Sequence, residues 1–404
     1  MMWFENAAHQ ALRAEVRAFA ESRIGPSVPA LENRQAVAED LSREIAETGW
    51  IGVTIPERYG GMGLGHLAKT IIIDELSRVS AAMGAMVQAS QLGVAKVLHF
   101  GSEEQRRHWL PRFASGAWLP TIAVTERDSG GHVLAMASTA TRDGADYVLD
   151  GHKCFVGNSH IGDVHGVVVR TGAGSGGLTA FLVERDRPGF AAGSPGDQSG
   201  LHGFSYGEIV FDGCRVPEQN RIGPEGQGLD VAYSSSVLYG RPNLTAVALG
   251  IHRAILDDTI EFCQNRRHYG KTLAELPSVA LKIGEMYSQY TTARLAAYHA
   301  VHLLDRGDPC DGELMNAKLV ATESALTAAR TACEIFAARG CQREYRIERY
   351  LRDVLHTFPA AGTSDVQRLR LAEIAGGTGH RDWSDRLREV TGSTSGSDGR
   401  SSAA

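Results

Sequence analysis

Two glycine-rich patterns in this sequence have the spacing of known catalytic or binding loops. Residues 172–177 read Gly-Ala-Gly-Ser-Gly-Gly, as in a dinucleotide-binding loop, but residues 178–183 look like a strand. No helix N-terminus therefore follows to hold a pyrophosphate. Residues 203–207 have the spacing of a hydrolase nucleophile elbow, yet they also lead into a strand-like segment. We predict a hairpin turn at the first pattern and a loop at the second, in which Ser205 is not a nucleophile.

Two further patterns suggest phosphate or metal binding. Residues 270–272 read Gly-Lys-Thr, like the end of a phosphate-binding loop, but Asn265 stands where the first glycine is required. His299 and His302 are spaced i, i+3, which places them about one turn apart on a helix, but no third ligand is indicated. We therefore predict no metal site.

The elements that would position any site follow from apolar periodicity. Helical spacing runs from residue 4 to about 116, and long helical spacing returns from about 228 to 375. Between them, over 118–217, short β-branched or alternating segments predict strands at 121–125, 147–149, 167–170, 178–183 and 208–211. This segregated order predicts an α+β chain. We expect an N-terminal all-α domain over 1–116, a middle β domain over 117–222 and a C-terminal helical bundle over 223–390. Residues 391–404 are almost all small or polar, and we expect a disordered tail there.

Length and charge limit the function classes. A chain of 404 residues exceeds one ordinary core, and 41 basic against 47 acidic residues give a net charge of −6. This charge provides no general attraction to nucleic acid or an anionic membrane. The six cysteines lack the spacing of a zinc site or redox dithiol, and no leader or 18-residue apolar run occurs. We expect a cytoplasmic protein.

Eight segments, taken in order, resemble the acyl-CoA dehydrogenase flavoprotein family. The resemblance covers about residue 10 to 375 and implies an N-terminal helical domain, a middle β-barrel-like domain and a C-terminal four-helix bundle. It lies in residues 56–63, 98–105, 121–126, 151–158, 215–217, 266–270, 350–353 and 362–365.

The resemblance also implies a cofactor and partners. Family members hold FAD, usually in a homo-oligomer that is a tetramer or dimer. They take a hydride from the β-carbon of an acyl thioester while a carboxylate removes the α-proton. For this chain it implies a substrate carried by CoA or an acyl carrier protein, and an electron acceptor such as electron-transfer flavoprotein or O2.

Five positions in the middle domain correspond to the family's flavin contacts. Val124 and Thr125 would lie along the isoalloxazine edge, and Gly131 in the loop near the pyrophosphate. Phe155 occupies the place of the usual Trp against the ring. Gly157 stands where the family normally has Ser or Thr, so a donor to the flavin N5 is missing.

Further positions correspond to the distal part of the cofactor. Arg266 and Tyr269 would meet the pyrophosphate and adenine of a FAD bound mainly by a neighbouring subunit, and Thr363 and Asp365 would begin a helix beside the adenosine. Ordinary packing and helix capping are the alternative roles.

Glu334 and Ala338 match a Gln-and-glycine segment that touches the same cofactor. The acid at 334 is unfavourable near a diphosphate unless Arg266 or Arg339 compensates its charge.

The family's catalytic carboxylate is missing from both of its known positions. Most members have Glu where this chain has Ala361, and a branch takes its Glu from an earlier helix, where this chain has Gly240. The base is therefore unassigned, and a missing general base costs about 10²–10⁴ in rate. The backbone N–H of residue 361 would still help hold the thioester oxygen. Arg241 would lie next to the acyl pocket, with a salt bridge at the helix start as the alternative.

Three functional hypotheses remain open. The first is a FAD-dependent oxidoreductase of specialised metabolism that acts on an acyl thioester with a non-standard base or reaction, because residues 238–241 resemble members that work in polyketide extender-unit pathways. The second is a flavin-dependent monooxygenase on the same scaffold, which needs no α-proton acceptor. The third is a non-catalytic subunit of a hetero-oligomeric dehydrogenase.

Overall fold

The computed structural model describes residues 4–34, 36–379 and 382–385. Helices, then strands, then helices follow one another along the chain, as the periodicity predicts. The predicted tail at 391–404 lies outside the described residues, and the predicted domain boundaries stay predictions.

Six α-helices precede the first strand. The central pair, α4 and α5, is almost wholly buried because it is rich in Ala, Ile, Val and Met. Helix α6 begins at a capping box in which Ser102 and Gln105 each bond the other's backbone N–H. The helices are α1 Ala7–Phe19, α2 Val28–Arg34, α3 Glu39–Glu47, α4 Gly65–Val79, α5 Ala81–Phe100 and α6 Glu103–Ala114.

The middle of the chain forms one mixed, eight-stranded sheet. Its order is β6-β7-β3-β2-β4-β5-β8, and β1 pairs in parallel with β4. The end strands β6 and β8 do not pair with each other, so the sheet of the middle domain is open and does not close into a complete barrel. The strands are β1 Pro120–Ala123, β2 Thr139–Asp143, β3 Asp146–Gly157, β4 Val164–Arg170, β5 Leu178–Glu184, β6 Phe190–Pro195, β7 Tyr206–Pro217 and β8 Arg221–Ile222.

The two glycine patterns lie where the sequence predicts. Residues 172–177 connect the antiparallel strands β4 and β5, and the N–H of Thr171 donates to the carbonyl of Gly177 at 2.8 Å. Ser205 lies in a loop immediately before β7, where its Oγ accepts from the N–H of His160 at 2.9 Å. The predicted hairpin turn and the predicted loop are both confirmed.

Alternation along the strands gives the sheet two buried faces. In β4, Val164 and Val168 join the core that the helices share, whereas Val167 and Val169 join a second cluster on the opposite face. The sheet is therefore packed against the helices on one face only, and β1 contacts α5.

Long helices form the C-terminal part. Helices α8, α9 and α10 pack on one another, α11 packs on α8 and α10, and α12 packs on α10, while α4 joins the bundle through α8. A six-residue π-helical turn, Ser235–Gly240, joins α7 to α8. The helices are α7 Gly228–Ser234, α8 Arg241–Asn265, α9 Pro277–Arg306, α10 Asp311–Phe336, α11 Ile347–Leu355 and α12 Ser364–Ala375.

A short hairpin, β9 Arg267–His268 and β10 Lys271–Thr272, follows α8, so the Gly-Lys-Thr pattern lies in a hairpin and not in a phosphate-binding loop. In the part of the chain that the structure describes, no helix is long and apolar enough to cross a membrane. The same residues contain no group of three or more His, Cys, Asp or Glu placed to hold a metal ion.

Candidate active site

The structure brings the two vacant positions of the carboxylate together. Gly240 ends the π-helical turn, and Ala361 lies in the loop between α11 and α12. A Cβ built on Gly240 would lie 2.9 Å from the Cβ of Ala361 and 3.8 Å from Cδ2 of Leu92 on α5. The two positions therefore border the same small space. π-Helical turns occur frequently at functional sites.

A buried lysine holds the loop that carries Ala361. Lys318 on α10 is 1% exposed, and its Nζ donates to the carbonyls of Phe358 at 3.2 Å, Ala360 at 2.6 Å and Gly362. Three acceptors match the three hydrogens of an ammonium group. Burial, followed by the charge of Arg241, lowers the pKa of Lys318 to about 7. The lysine fixes the backbone around residue 361 as long as it stays protonated.

Sequence reasoning missed Lys318. The available signal is a lysine set among apolar residues on a helix with a buried face, where Leu314, Ala317 and Ala321 are also buried. A lysine in such a place requires a polar partner, although the sequence does not say which one.

A glutamine supports the same loop from the other side. Nε2 of Gln367 donates to the carbonyls of Ala361 at 3.1 Å and Gly362 at 2.9 Å, and its Oε1 accepts from Nε of Arg241 at 2.8 Å. Arg241 is 6% exposed, and its Nη1 has no hydrogen-bond partner among the described residues. Burial lowers the pKa of Arg241 to about 10, although Asp311 acts in the opposite direction. The salt bridge considered for Arg241 is not formed within the described part of the chain.

Unusual backbone conformations coincide with the predicted site. Five of the seven described non-glycine residues with positive φ lie in or beside its segments: Phe155 at 56°, Asn158 at 58°, Tyr269 at 48°, Ala337 at 53° and Ala361 at 54°. Such conformations cost free energy and cluster at ligand-binding positions. Phe155 and Tyr269 are also 61% and 85% exposed, which leaves both rings available to a ligand or a second subunit.

Close packing explains why residue 157, on the flavin side of the predicted site, is a glycine. A Cβ on Gly157 would lie 2.9 Å from the Cβ of Ala89 and 3.0 Å from Cζ of Phe204. The Ser or Thr that the family normally has there would displace one of these neighbours. Val124 and Thr125 are half-buried at the end of β1, and Gly131 is exposed with open space around a built Cβ.

The distal positions are solvent-accessible in the single chain. Arg266 is exposed, and its guanidinium has no hydrogen bond or ion pair with any described residue. The positive N-terminal end of α12 is capped by Thr363, whose hydroxyl accepts from the N–H of Val366 at 3.4 Å. Asp365 in its first turn pairs with Arg368 at 3.2 Å. The helix start predicted at Thr363 is confirmed.

Glu334 pairs with a lysine and not with Arg266 or Arg339. Nζ of Lys282 on α9 lies 2.7 Å from Oε2 of Glu334. Arg339 instead donates to the hydroxyl of Tyr345 at 3.2 Å, so within the described chain Lys282 is the partner of this acid. Ala338 follows the end of α10 and is exposed. Compensation by Arg266 or Arg339 beside a bound diphosphate stays a prediction.

Two residues that could replace the missing base are engaged elsewhere. Tyr239 is 1% exposed, its hydroxyl lies 2.8 Å from Nε2 of His99, and burial raises its pKa above the ordinary value. His356 uses Nε2 to accept from the N–H of Gly200 at 3.2 Å, and burial lowers its pKa. Neither group is a ready acceptor for an α-proton.

The residues present fit the FAD that the resemblance implies. An unpaired guanidinium at Arg266 and a helix N-terminus at Thr363 suit a diphosphate and its nucleoside. The exposed ring of Phe155 is available to a flat ring system, and the open space around Gly131 lets a ligand approach its backbone.

Comparison with known sequences identifies three matching family profiles that together cover most of the chain. The profiles for the N-terminal, middle and C-terminal domains of acyl-CoA dehydrogenase match residues 6–117, 121–214 and 226–376.

The sequence match with individual relatives extends over most of the length of each relative. An acyl-CoA dehydrogenase of Bacillus subtilis is 34% identical over 371 residues, which is 91% of this chain and 98% of the relative. The L-prolyl-[peptidyl-carrier protein] dehydrogenase of Pseudomonas fluorescens is 37% identical over 328 residues, covering 80% and 86%.

Solved structures have the same fold. Butyryl-CoA dehydrogenase from Megasphaera elsdenii superposes with a TM-score of 0.90 at 29% identity, over 93% of this chain and 100% of that one. A structure of PigA with FAD and proline gives 0.88 at 25% identity, over 93% and 99%.

Proposed function

Because the chain belongs to the acyl-CoA dehydrogenase family, a family of FAD-dependent oxidoreductases, we propose that it binds FAD and acts on an acyl thioester carried by CoA or by an acyl carrier protein. One observation carries the proposal: Lys318 and Gln367 hold the loop at 358–362, where a backbone N–H can meet a thioester oxygen. The carrier-protein option is supported by the prolyl-carrier-protein dehydrogenase that this chain resembles.

The cofactor residues of the proposal are those that the resemblance indicates. When bound, FAD supplies the hydride acceptor. Phe155 would cover its ring, Arg266 its diphosphate, and Thr363 its adenosine end. The full set is Val124, Thr125, Gly131, Phe155, Gly157, Arg266, Tyr269, Glu334, Ala338, Thr363 and Asp365.

Carbonyl polarisation is the chemical role that the chain itself retains. The N–H of residue 361 is positioned by the bonds that its neighbours make to Lys318 and Gln367. Preorganised donors of this kind contribute about 10²–10³ in rate when they meet a developing oxyanion. Gly240, Arg241 and Ala361 are the substrate-side residues of the proposal.

Proton removal must differ from that of most relatives. Gly240 and Ala361 carry no carboxylate, and a side chain at one position would crowd the other. We therefore propose a non-standard base or a reaction that requires none, in specialised metabolism. The lack of a carboxylate at Gly240 and Ala361 favours a flavin-dependent monooxygenase as the second candidate, because that reaction needs no α-proton acceptor.

The proposal includes a homo-oligomer, either a tetramer or a dimer. Arg266 caps the end of α8, and Tyr269 lies in the exposed hairpin that follows, with its ring 3.9 Å from that of His268. The guanidinium of Arg266 has no partner among the described residues and Tyr269 is 85% exposed, so a neighbouring subunit could bring a cofactor to them. Electron-transfer flavoprotein or O2 is the proposed electron acceptor.

Anaerobic stopped-flow spectroscopy of the purified holoprotein tests the proposal. Flavin reduction by butyryl or prolyl thioesters, on CoA or on an acyl carrier protein, is the expected result. Reduction by NAD(P)H alone, followed by oxygen consumption, would support the monooxygenase. A colourless protein that forms mixed oligomers with an active relative would indicate the non-catalytic subunit.

A further inference from the structure

A buried lysine lies under the segment that carries Val124 and Thr125. Lys153 on β3 is 0% exposed, and its Nζ donates to the carbonyl of Val124 at 3.1 Å. The same Nζ lies 2.6 Å from Oε1 of Glu126, which is 8% exposed. Charges are buried only where they are paired and hydrogen-bonded, and this pair meets both conditions. One ammonium group therefore joins β3 to the segment that follows β1.

The carboxylate of the pair is fixed by the backbone of its own loop. Oε2 of Glu126 accepts from the N–H of Ala137 at 2.6 Å, and Oε1 accepts from the N–H of Ser138 at 3.0 Å. Burial raises the pKa of Glu126, but the bonds from Lys153 and from these N–H groups outweigh it and hold the pKa below its ordinary value. Burial lowers the pKa of Lys153, and Glu126 acts against that effect. An ionised Glu126 thus favours the charged form of the amine beside the carbonyl of Val124.

The ammonium acts on a peptide group whose other end is unused. The carbonyl of Val124 and the N–H of Thr125 belong to one peptide group, and it is trans, so the N–H points away from the ammonium. Thr125 is half-buried, and no described residue accepts a hydrogen bond from its N–H. Hydrogen bonds in a chain polarise one another, so an ammonium at the carbonyl makes this N–H a stronger donor to a ligand.

We propose that Lys153 tunes the potential of the bound flavin by polarising the Val124–Thr125 peptide, whose N–H donates to the edge of the flavin ring. The inference rests on the proposed function, in which Val124 and Thr125 lie along that edge. Lys153 acts through the peptide and is a positioning residue. Reduced FAD carries more negative charge than oxidised FAD, so a stronger donor stabilises the reduced form more. The peptide thereby replaces part of what the hydroxyl missing at Gly157 would supply.

The expected effect is a change in the relative binding of the two forms of FAD. A hydrogen bond that a charge assists is roughly twice as strong as a neutral one. Without the ammonium, reduced FAD should bind about tenfold more weakly relative to oxidised FAD, and for a two-electron couple tenfold corresponds to about 30 mV. The midpoint potential of the flavin should fall by that amount.

Reductive titration of the holoprotein against reference dyes, without substrate, measures this potential. The variants are Lys153→Met and the double variant Lys153→Met/Glu126→Gln, in which no unpaired carboxylate remains. Arg170→Met is the matched control, because Arg170 holds the same loop through the carbonyls of Leu134 at 2.6 Å and Met136 at 3.3 Å but does not touch the polarised peptide. Flavin content and melting temperature establish that each variant is folded.

Lys153→Met and the double variant should both have a potential about 30 mV below that of wild type, and Arg170→Met should keep the wild-type value. If Lys153→Met does not retain FAD, the double variant decides by the same criterion. An unchanged potential in the folded variants would overturn the inference and leave the proposed function intact. A double variant that returns to the wild-type potential would also overturn it, because the unpaired carboxylate would then cause the fall. An equal fall in Arg170→Met would overturn it in favour of loop order. A wild-type protein that binds no FAD would overturn the proposed function and the inference with it.

Discussion

Replacement of Lys318 by Met tests whether the loop at residue 361 depends on one buried charge. The ammonium bonds three carbonyls of that loop, and methionine keeps the length of the side chain while it removes every donor. We expect the variant to fold and to bind FAD, since Lys318 lies under the loop and away from the distal cofactor positions. The position of the N–H of residue 361 should become variable.

The size of the expected effect on loop stability and on the rate of flavin reduction follows from the surroundings of the three carbonyl groups that Lys318 bonds. Ala360 is exposed, so water can replace the lysine at its carbonyl, and the carbonyl of Gly362 keeps its bond from Nε2 of Gln367 at 2.9 Å. The carbonyl of the half-buried Phe358 is left without a partner, which should reduce the stability of the loop by about 1–3 kcal/mol. A displacement of about 1 Å in a group that positions a substrate costs about 10²-fold in rate. Thioester-dependent flavin reduction should therefore fall about 100-fold.

The assay compares wild type, Lys318→Met and Arg330→Met, an exposed control on the same helix α10. Flavin content and melting temperature are measured first, and single-turnover flavin reduction by the substrate thioester second. Wild-type binding of the thioester should weaken as pH rises through about 7, because the neutral amine has two hydrogens for three carbonyls. The variant should show no such pH dependence. Unchanged reduction and an unchanged pH profile in Lys318→Met, with normal flavin, would refute the role given to this lysine.

Three further predictions concern the cofactor, the assembly and the fold. Arg266→Ala should purify with much less flavin than wild type, whereas Arg267→Ala should retain it, and equal flavin content would remove position 266 from the site. Sedimentation equilibrium should show a tetramer or dimer, and a monomer with full flavin would contradict the shared cofactor site. Burial raises the pKa of Asp353 to about 6, above its unfolded value, so its contribution to stability is present below about pH 4 and is lost as pH rises through about 6. Asp353→Asn should remove about 2–3 kcal/mol of that pH dependence, measured as the melting temperature between pH 4 and 7, and an identical profile would show that another group titrates.

The sequence predicts the arrangement of elements better than their lengths. Strands β3 and β7 each have 12 residues, whereas the alternating pattern indicates only 147–149 and 208–211 within them. Their pairing contains register shifts, for example between Leu149 and Gly151, and each shift interrupts the alternation from which a strand is inferred. Strand β6 was missed because its residues are mostly exposed and include Gly193 and Pro195.

The site is predicted only as far as a motif identifies it. The resemblance locates Gly240 and Ala361, which the fold places side by side although they are far apart in sequence. It says nothing of Lys318 or Gln367. Their roles depend on which carbonyls they reach, and this is a property of packing that no local pattern in one sequence contains.

The same packing determines which vacant position can accept a carboxylate again. Ala361 already has φ of 54°, so a longer side chain there adds no new backbone strain, whereas any Cβ at Gly240 would lie 2.9 Å from that of Ala361. Ala361→Glu is therefore the better restoration, with Ala361→Gln as its uncharged control of equal shape.

If the chain still binds simple thioesters, the Glu variant should bleach FAD with butyryl-CoA at least about 10²-fold faster than wild type or the Gln variant. Equal rates in the Glu and Gln variants would show that a carboxylate at this position cannot reach the α-proton. Rapid bleaching by wild type would reveal another base, with Tyr239 the first to replace. If neither protein is bleached despite a full complement of FAD, the monooxygenase becomes the better description of the site, because a reaction that needs no α-proton acceptor gains nothing from a restored glutamate.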